Sequence, residues 1–211
     1  MKKIIVFGAT GGTGNQVVEQ ALLAGHKVTV IIRNPDAFAI QHQRLEIIKG
    51  DVFQPSTFQN AMKEKDAVVS CLGIKKREPT TVYSEGVGNI ITAMQQAGIN
   101  RIICLSAAAV IVPPKGSFLA KFIAKNILQP LFKYSFADML LMEKMLLGSH
   151  LNWTVIRPPR LTDAERTGKY RTTMNEPLPN PSKISRADLA DYIVNHLTDE
   201  KTFKARIEIS Y

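Results

Sequence analysis

The apolar positions of this chain gather in short unbroken runs: IIVF, VTVII, LEIIK, AVVSCL, RIICL and WTVIR. Continuous runs, as opposed to alternating ones, suit strands covered on both faces, as in a parallel sheet. Between them lie longer stretches of helical spacing. Three times such a stretch ends in a glycine-bearing stop before a strand, in QALLAGHKVTVII, TAMQQAGINRIICL and EKMLLGSHLNWTVI. Gly25, Gly98 and Gly148 each stand where a helix end favours a left-handed residue. The pattern predicts strands near 3–7, 27–32, 45–49, 67–72, 101–105, 153–157 and 205–209. It predicts helices near 12–24, 55–64, 80–97, 117–129, 131–147 and 186–197, with Pro130 separating or kinking the middle pair and Ser185 capping the last. Alternating strands and helices give a Rossmann-type α/β fold, a doubly wound, mostly parallel sheet with helices on both faces.

Length and composition narrow the class. The 211 residues suit a single domain, 1–211, with 45% hydrophobic and 21% charged residues, which excludes disorder as the main state. Segment 158–184 holds five prolines and little periodicity, and so long an irregular stretch is more often functional than idle. Two cysteines, Cys71 and Cys104, exclude a disulfide framework. They read as inert core thiols. The start MKKIIVFGATGG has too few apolar residues for a signal peptide, and no run reaches the roughly 20 apolar residues of a membrane span. A cytoplasmic location is the expectation. Lys and Arg total 27 against 18 Asp and Glu, a formal charge of +9. That excess favours an anionic partner without choosing one. The aromatics are not interleaved with basic residues, so no nucleic-acid partner is expected. His26, His42, His150 and His196 are scattered without ligand spacing, so no metal is expected.

The most informative residues are Gly8-Ala9-Thr10-Gly11-Gly12-Thr13-Gly14, between the first strand and first helix. In that place Gly8 permits a tight turn, Gly11 and Gly12 admit a diphosphate, and Gly14 allows close helix–strand packing. The helix start supplies N–H groups and a positive pole for phosphate. The second strand ends in Arg33, where an NAD site usually carries an acid. A guanidinium there suits the 2′-phosphate of NADP, although Asp36 could serve a 2′-hydroxyl. Asp51-Val52, Leu72-Gly73 and Ser106 follow later strands at their carboxyl ends. Asp51 could accept from an adenine amino group or cap its own turn.

Together, GATGGTG, VIIRNP, KGDVFQP, CLG, PTTVYSEGVGNIITAM, LSA and VIRPP resemble the atypical short-chain dehydrogenase/reductase group. Within it the chain is most similar to the biliverdin-IXβ reductase/NADPH-flavin reductase family, over essentially its whole length. The resemblance implies a Rossmann fold and an NADPH site. It places Gly8, Thr10, Gly11, Gly12, Thr13, Gly14, Arg33, Asp51, Val52, Leu72, Gly73, Ser106 and Pro159 at cofactor-contacting positions, with Lys75 near a basic residue of the pattern. Two features depart from it. Arg160, not histidine, follows Pro158-Pro159, which puts biliverdin reduction in doubt, and residues 113–133 fit poorly.

No tyrosine has a lysine four residues on, so the Y-x-x-x-K pair that handles alcohol protons in related dehydrogenases is missing. Hydride transfer to a flavin, quinone or tetrapyrrole needs mainly a positioned acceptor. Ser106 could hydrogen-bond the carboxamide or the acceptor, and Arg160 could hold an anionic group such as the phosphate of FMN. The expectation is an NADPH-dependent reductase with FMN or FAD as substrate and an acceptor groove near 108–135 and 158–184. The alternative is a non-catalytic NADP(H)-binding redox sensor of the NmrA-like type. The basic, amphipathic stretch 117–133 reads as a helix on the sheet or a lid, and less readily as a membrane-surface helix.

Overall fold

The computed structural model describes residues 1–74, 77–111 and 118–211. Its strands and helices follow in chain order. They run β1 (Lys3–Phe7), α1 (Gly12–Leu23), β2 (Lys27–Ile32), β3 (Leu45–Lys49), β4 (Ala67–Ser70), α2 (Ser84–Ala97) and β5 (Arg101–Leu105), then α3 (Phe118–Ile123), α4 (Gln129–Leu131), α5 (Lys133–Leu147) and β6 (Asn152–Arg157). The chain ends with β7 (Arg160–Thr162), β8 (Arg171–Met174), β9 (Lys183–Ser185), α6 (Arg186–Asn195) and β10 (Ala205–Ser210). Eight strands form one sheet in the order β3-β2-β1-β4-β5-β6-β10-β8, parallel except where β8 pairs antiparallel with β10. This is the doubly wound α/β arrangement, with the strand order reversing between β1 and β4.

The unbroken apolar runs divide by alternation across the sheet. Ile4 and Val6 face one way, with Val17, Val18 and Ala21 of α1 and Leu189, Ala190 and Ile193 of α6. Ile5 and Phe7 face the other, with Val87, Ile90 and Met94 of α2 and Met142 and Leu146 of α5. Phe7 meets Phe58 edge to face at 5.0 Å, a contact worth about 0.5–1.5 kcal/mol beyond the area buried. Cys71 and Cys104 are free and buried, and burial pushes the Cys71 thiol up to about 12. Strand β3 lies at the sheet edge and is half exposed, with Glu46 and Lys49 turned outward. Charges on an edge strand discourage pairing with other chains.

Arg101 opens β5 almost fully buried. Its guanidinium donates to the carbonyls of Asn152, His196 and Leu197, each at 2.9 Å, and to the hydroxyls of Thr154 and Thr202. It thereby satisfies the carbonyls just past the end of α6 and ties that end of the helix to the sheet. Burial lowers its pKa to about 10, so the group stays charged at neutral pH.

Several elements differ from the pattern-based reading. Residues 55–64 form two 3-10 turns, Pro55–Thr57 and Gln59–Met62, in place of one α-helix. The helix placed at 80–97 begins at Ser84. Gly25 and Gly98 have left-handed φ values of +86° and +71°, whereas Gly148 has φ −81° and ends α5 with an ordinary helical residue. A π-turn, Ala124–Leu128, links α3 to α4. The α4 turn runs through Pro130, and the break before α5 falls at Phe132, at φ −114° and ψ 20°. Segment 158–184 holds three short strands too brief to show periodicity, β7 and β9 pairing in a small second sheet. Among the described residues no helix is long and apolar enough to cross a membrane.

Candidate functional site

The crevice where the strand order reverses is shaped by two glycines. Gly8 leaves β1 at φ +76°, and a Cβ there would lie 2.3 Å from the Cys71 carbonyl oxygen. A Cβ on Gly14 would lie 2.2 Å from the Gly8 carbonyl oxygen. Both contacts are with backbone, so neither position admits a side chain without moving β1, β4 or α1. The Gly11 N–H donates to the Gly8 carbonyl at 3.1 Å and closes the turn. Gly11 then caps α1 with no side-chain hydrogen bond, and no acidic residue stands in the first turn. The N–H groups and positive pole of α1 therefore face the crevice without a carboxylate from their own turn, the arrangement that receives phosphate. Thr10, Gly11 and Gly12 are exposed on its rim, and Thr13 is buried beneath. The donor set of this cradle suits a diphosphate.

The remaining expected positions line the same edge of the sheet. Arg33 is exposed at the end of β2 and makes no hydrogen bond or ion pair among the described residues, and exposed Asp36 sits in the following 3-10 turn. Asp51 caps its own turn, accepting from the Phe53 N–H at 3.0 Å. The Val52 carbonyl accepts from Asn89 Nδ2 at 2.8 Å, which joins this loop to α2. Val52 and Leu72 close on Gly86, where a Cβ would lie 3.1 and 3.2 Å from their side chains. Gly73 is exposed beside the buried Tyr83 hydroxyl. Lys75 lies outside the described residues.

At the end of β5, Ser106 is buried and donates its hydroxyl proton to Glu143 Oε1 at 2.7 Å. The same carboxylate holds Arg157, whose Nε donates to Oε1 at 3.0 Å while Nη2 reaches Oε2. Glu143 and Arg157 side chains are 4% and 8% exposed, so the pair is screened from water. With its proton given to Glu143, the Ser106 hydroxyl is left as an acceptor toward other donors. Pro158 is buried, its carbonyl taken by the Ala108 N–H at 3.0 Å. Pro159 is half-buried and Arg160 exposed, so the two flank the same edge. Nearby, the Arg77 guanidinium lies 5.4 Å from the centre of the Phe132 ring, bringing the α4–α5 junction against the loop after β4.

Three groups carry roles that the sequence pattern did not assign. Glu143 is one. Asp138 is another: its buried carboxylate accepts from the Tyr83 N–H at 2.8 Å and the Ser84 N–H at 3.3 Å, so α5 caps α2. The third is Arg186, whose Cδ lies 2.6 Å from where a Gly12 Cβ would stand. A charge inside an apolar run signals a buried partner, which applies to Glu143 in KYSFADMLLMEKMLL and Arg157 in WTVIR. Asp188 is likewise buried. Burial alone would raise its pKa, but hydrogen bonds from Tyr211, Gly168 and Thr167 outweigh this and hold it below the usual carboxylate value. It pins the loop between β7 and β8 to α6.

Residues 8–200 match the NAD(P)H-binding family. An uncharacterised chloroplastic protein of Arabidopsis thaliana is 27% identical over 99% of this chain and 76% of its own length. Among solved structures, one described as a candidate NADH-flavin reductase of Streptococcus pneumoniae is 26% identical with TM-score 0.77, covering 100% of this chain and 99% of the other. The anaerobilin reductase ChuY of Escherichia coli O157:H7 shares the fold, with TM-score 0.79 at 22% identity over 99% of this chain and 96% of the other. With its reversed strand order, glycine cradle and a match over residues 8–200, the chain belongs to the NAD(P)H-binding family.

Proposed function

We propose that this protein is an NADPH-dependent reductase that passes hydride to a flat conjugated acceptor of the flavin, quinone or tetrapyrrole class. The observation that carries it is the glycine cradle at the start of α1 with an exposed Arg33 at the neighbouring strand end that has no partner among the described residues. The names borne by the flavin reductase and anaerobilin reductase neighbours support the acceptor class.

In this reading, α1 and the turn at 8–14 hold the diphosphate, and Arg33 pairs with the 2′-phosphate through charge-assisted bonds. Val52, Leu72 and Gly73 wall the dinucleotide. The Ser106 hydroxyl, fixed by Glu143 and Arg157, accepts from the carboxamide N–H and orients the ring. Pro159 limits the pocket, and Arg160 meets an anionic substituent of the acceptor. The bound nicotinamide supplies two electrons and a proton as hydride. An acceptor that takes its remaining proton from water needs no tyrosine–lysine pair. Two of the tyrosines are otherwise engaged: Tyr83 is buried with its pKa raised, and Tyr170 donates to Asp191 at 2.7 Å.

The test has two stages. Titration with NADPH and NADH, followed by nicotinamide fluorescence, gives affinities for wild type and Arg33→Ala. The substitution is expected to weaken NADPH about ten- to a hundredfold and leave NADH unchanged. Loss of nicotinamide absorbance is then followed with FMN, FAD, a quinone or a linear tetrapyrrole present. Equal weakening of both dinucleotides refutes the role of Arg33. Tight NADPH binding without turnover of any acceptor refutes the reductase and favours a redox-sensing regulator.

A further inference from the structure

Gly12 has a neighbour that its backbone does not require. It lies in α1 with an ordinary φ, and outside its own helix the atoms nearest a Cβ there all belong to the Arg186 side chain, with Cδ at 2.6 Å and Nε at 2.9 Å. Arg186 opens α6, which packs along α1. Its stem therefore crosses the rim of the diphosphate cradle. Its Nη1 is held at 2.6 Å by Asp163, just past β7, the strand that begins with Arg160. The arginine side chain is 29% exposed and the aspartate 88%.

We propose that Arg186 is a diphosphate clamp that Asp163 holds ready, and that the dinucleotide takes the guanidinium from Asp163 on binding. This rests on the reading of the 8–14 turn as a diphosphate site. An ion pair with so exposed a carboxylate is weak, whereas a planar guanidinium beside helix N–H groups suits a doubly charged diphosphate and can bind it bidentately. Glycine at position 12 then serves to make room for the Arg186 stem, which any side chain there would displace. The exchange frees Asp163 next to β7, so occupancy of the dinucleotide site is felt at the strand bearing Arg160.

The experiment measures dissociation constants for NADPH, with 2′-AMP, which lacks the diphosphate, as the control ligand. Wild type, Arg186→Gln, Arg186→Lys, Asp163→Asn and the Gln/Asn double variant are compared, with thermal midpoints recorded for each. Arg186→Gln should weaken NADPH about ten- to a hundredfold and leave 2′-AMP unchanged. Arg186→Lys, which keeps charge but not the planar fork, should fall between. Asp163→Asn should tighten NADPH about two- to fivefold, and the double variant should match Arg186→Gln. Unchanged NADPH affinity in both Arg186 variants, or weakened binding in Asp163→Asn, overturns the clamp. Failure of wild type to bind any dinucleotide overturns instead the reading on which it rests.

Discussion

Replacing Glu143 by methionine removes the carboxylate held by both Ser106 and Arg157 and leaves a guanidinium with 8% of its side chain exposed and without the carboxylate that pairs with it. Removing one partner of a buried pair costs about 3–5 kcal/mol, because the remaining charge is desolvated and unpaired. With a urea slope of about 2 kcal/mol/M, the unfolding midpoint should fall by about 1.5–2.5 M. Trp153, the one tryptophan, lies buried in β6 four positions before Arg157 and reports the transition by fluorescence. The double variant Glu143→Met/Arg157→Met replaces the pair with neutral side chains and should recover most of the loss. A shift below about 0.5 M in Glu143→Met, or a double variant as unstable as the two single losses added, would refute the assignment of a desolvated, mutually dependent pair.

Two further outcomes test other parts of the molecule. Gly14→Ala forces a Cβ to within 2.2 Å of the Gly8 carbonyl and should cost about 1–3 kcal/mol of stability, while Gly11→Ala, with its nearest atom at 3.4 Å, should melt close to wild type; equal melting of the two contradicts the packing described. His26 accepts from the Lys2 N–H at 3.0 Å, and burial, with the positive N-terminus and Lys2, holds its pKa below the ordinary value. The unfolded chain therefore binds more protons near that value, about 6.5. The stability this group contributes is present above that pH and is lost as pH falls through the lowered folded value. Urea midpoints measured from pH 7 to 5 should fall further in wild type than in His26→Gln, and parallel curves would refute the linkage.

The layered fold was legible because each buried strand is written as an unbroken apolar run and its flanking helices as periodic stretches. The glycine turn was legible because its chemistry is local: Gly8 and Gly14 make their tight contacts within the turn or with the adjoining strand end. Strands β7 to β9 were not, since three or four residues carry no period. The two 3-10 turns at 55–62 escaped for a similar reason. Arg186 and Gly12 meet only because α1 and α6 share a face, and Asp138 reaches Tyr83 across two helices. Such contacts leave no spacing signal. A charge within an apolar segment, as at Glu143, is the one trace they left in the chain, and it tells that a partner exists without naming it.

Asp138 has a consequence for how anions are sorted. Helices α1 and α2 both begin at the carboxyl edge of the parallel strands, so each turns an electropositive end toward the same side of the sheet. The carboxylate of Asp138 occupies the end of α2, taking the amides of Tyr83 and Ser84, while the end of α1 carries no such plug. Of these two helix ends, that of α2 is neutralised from within and that of α1 is left to attract an anion from outside.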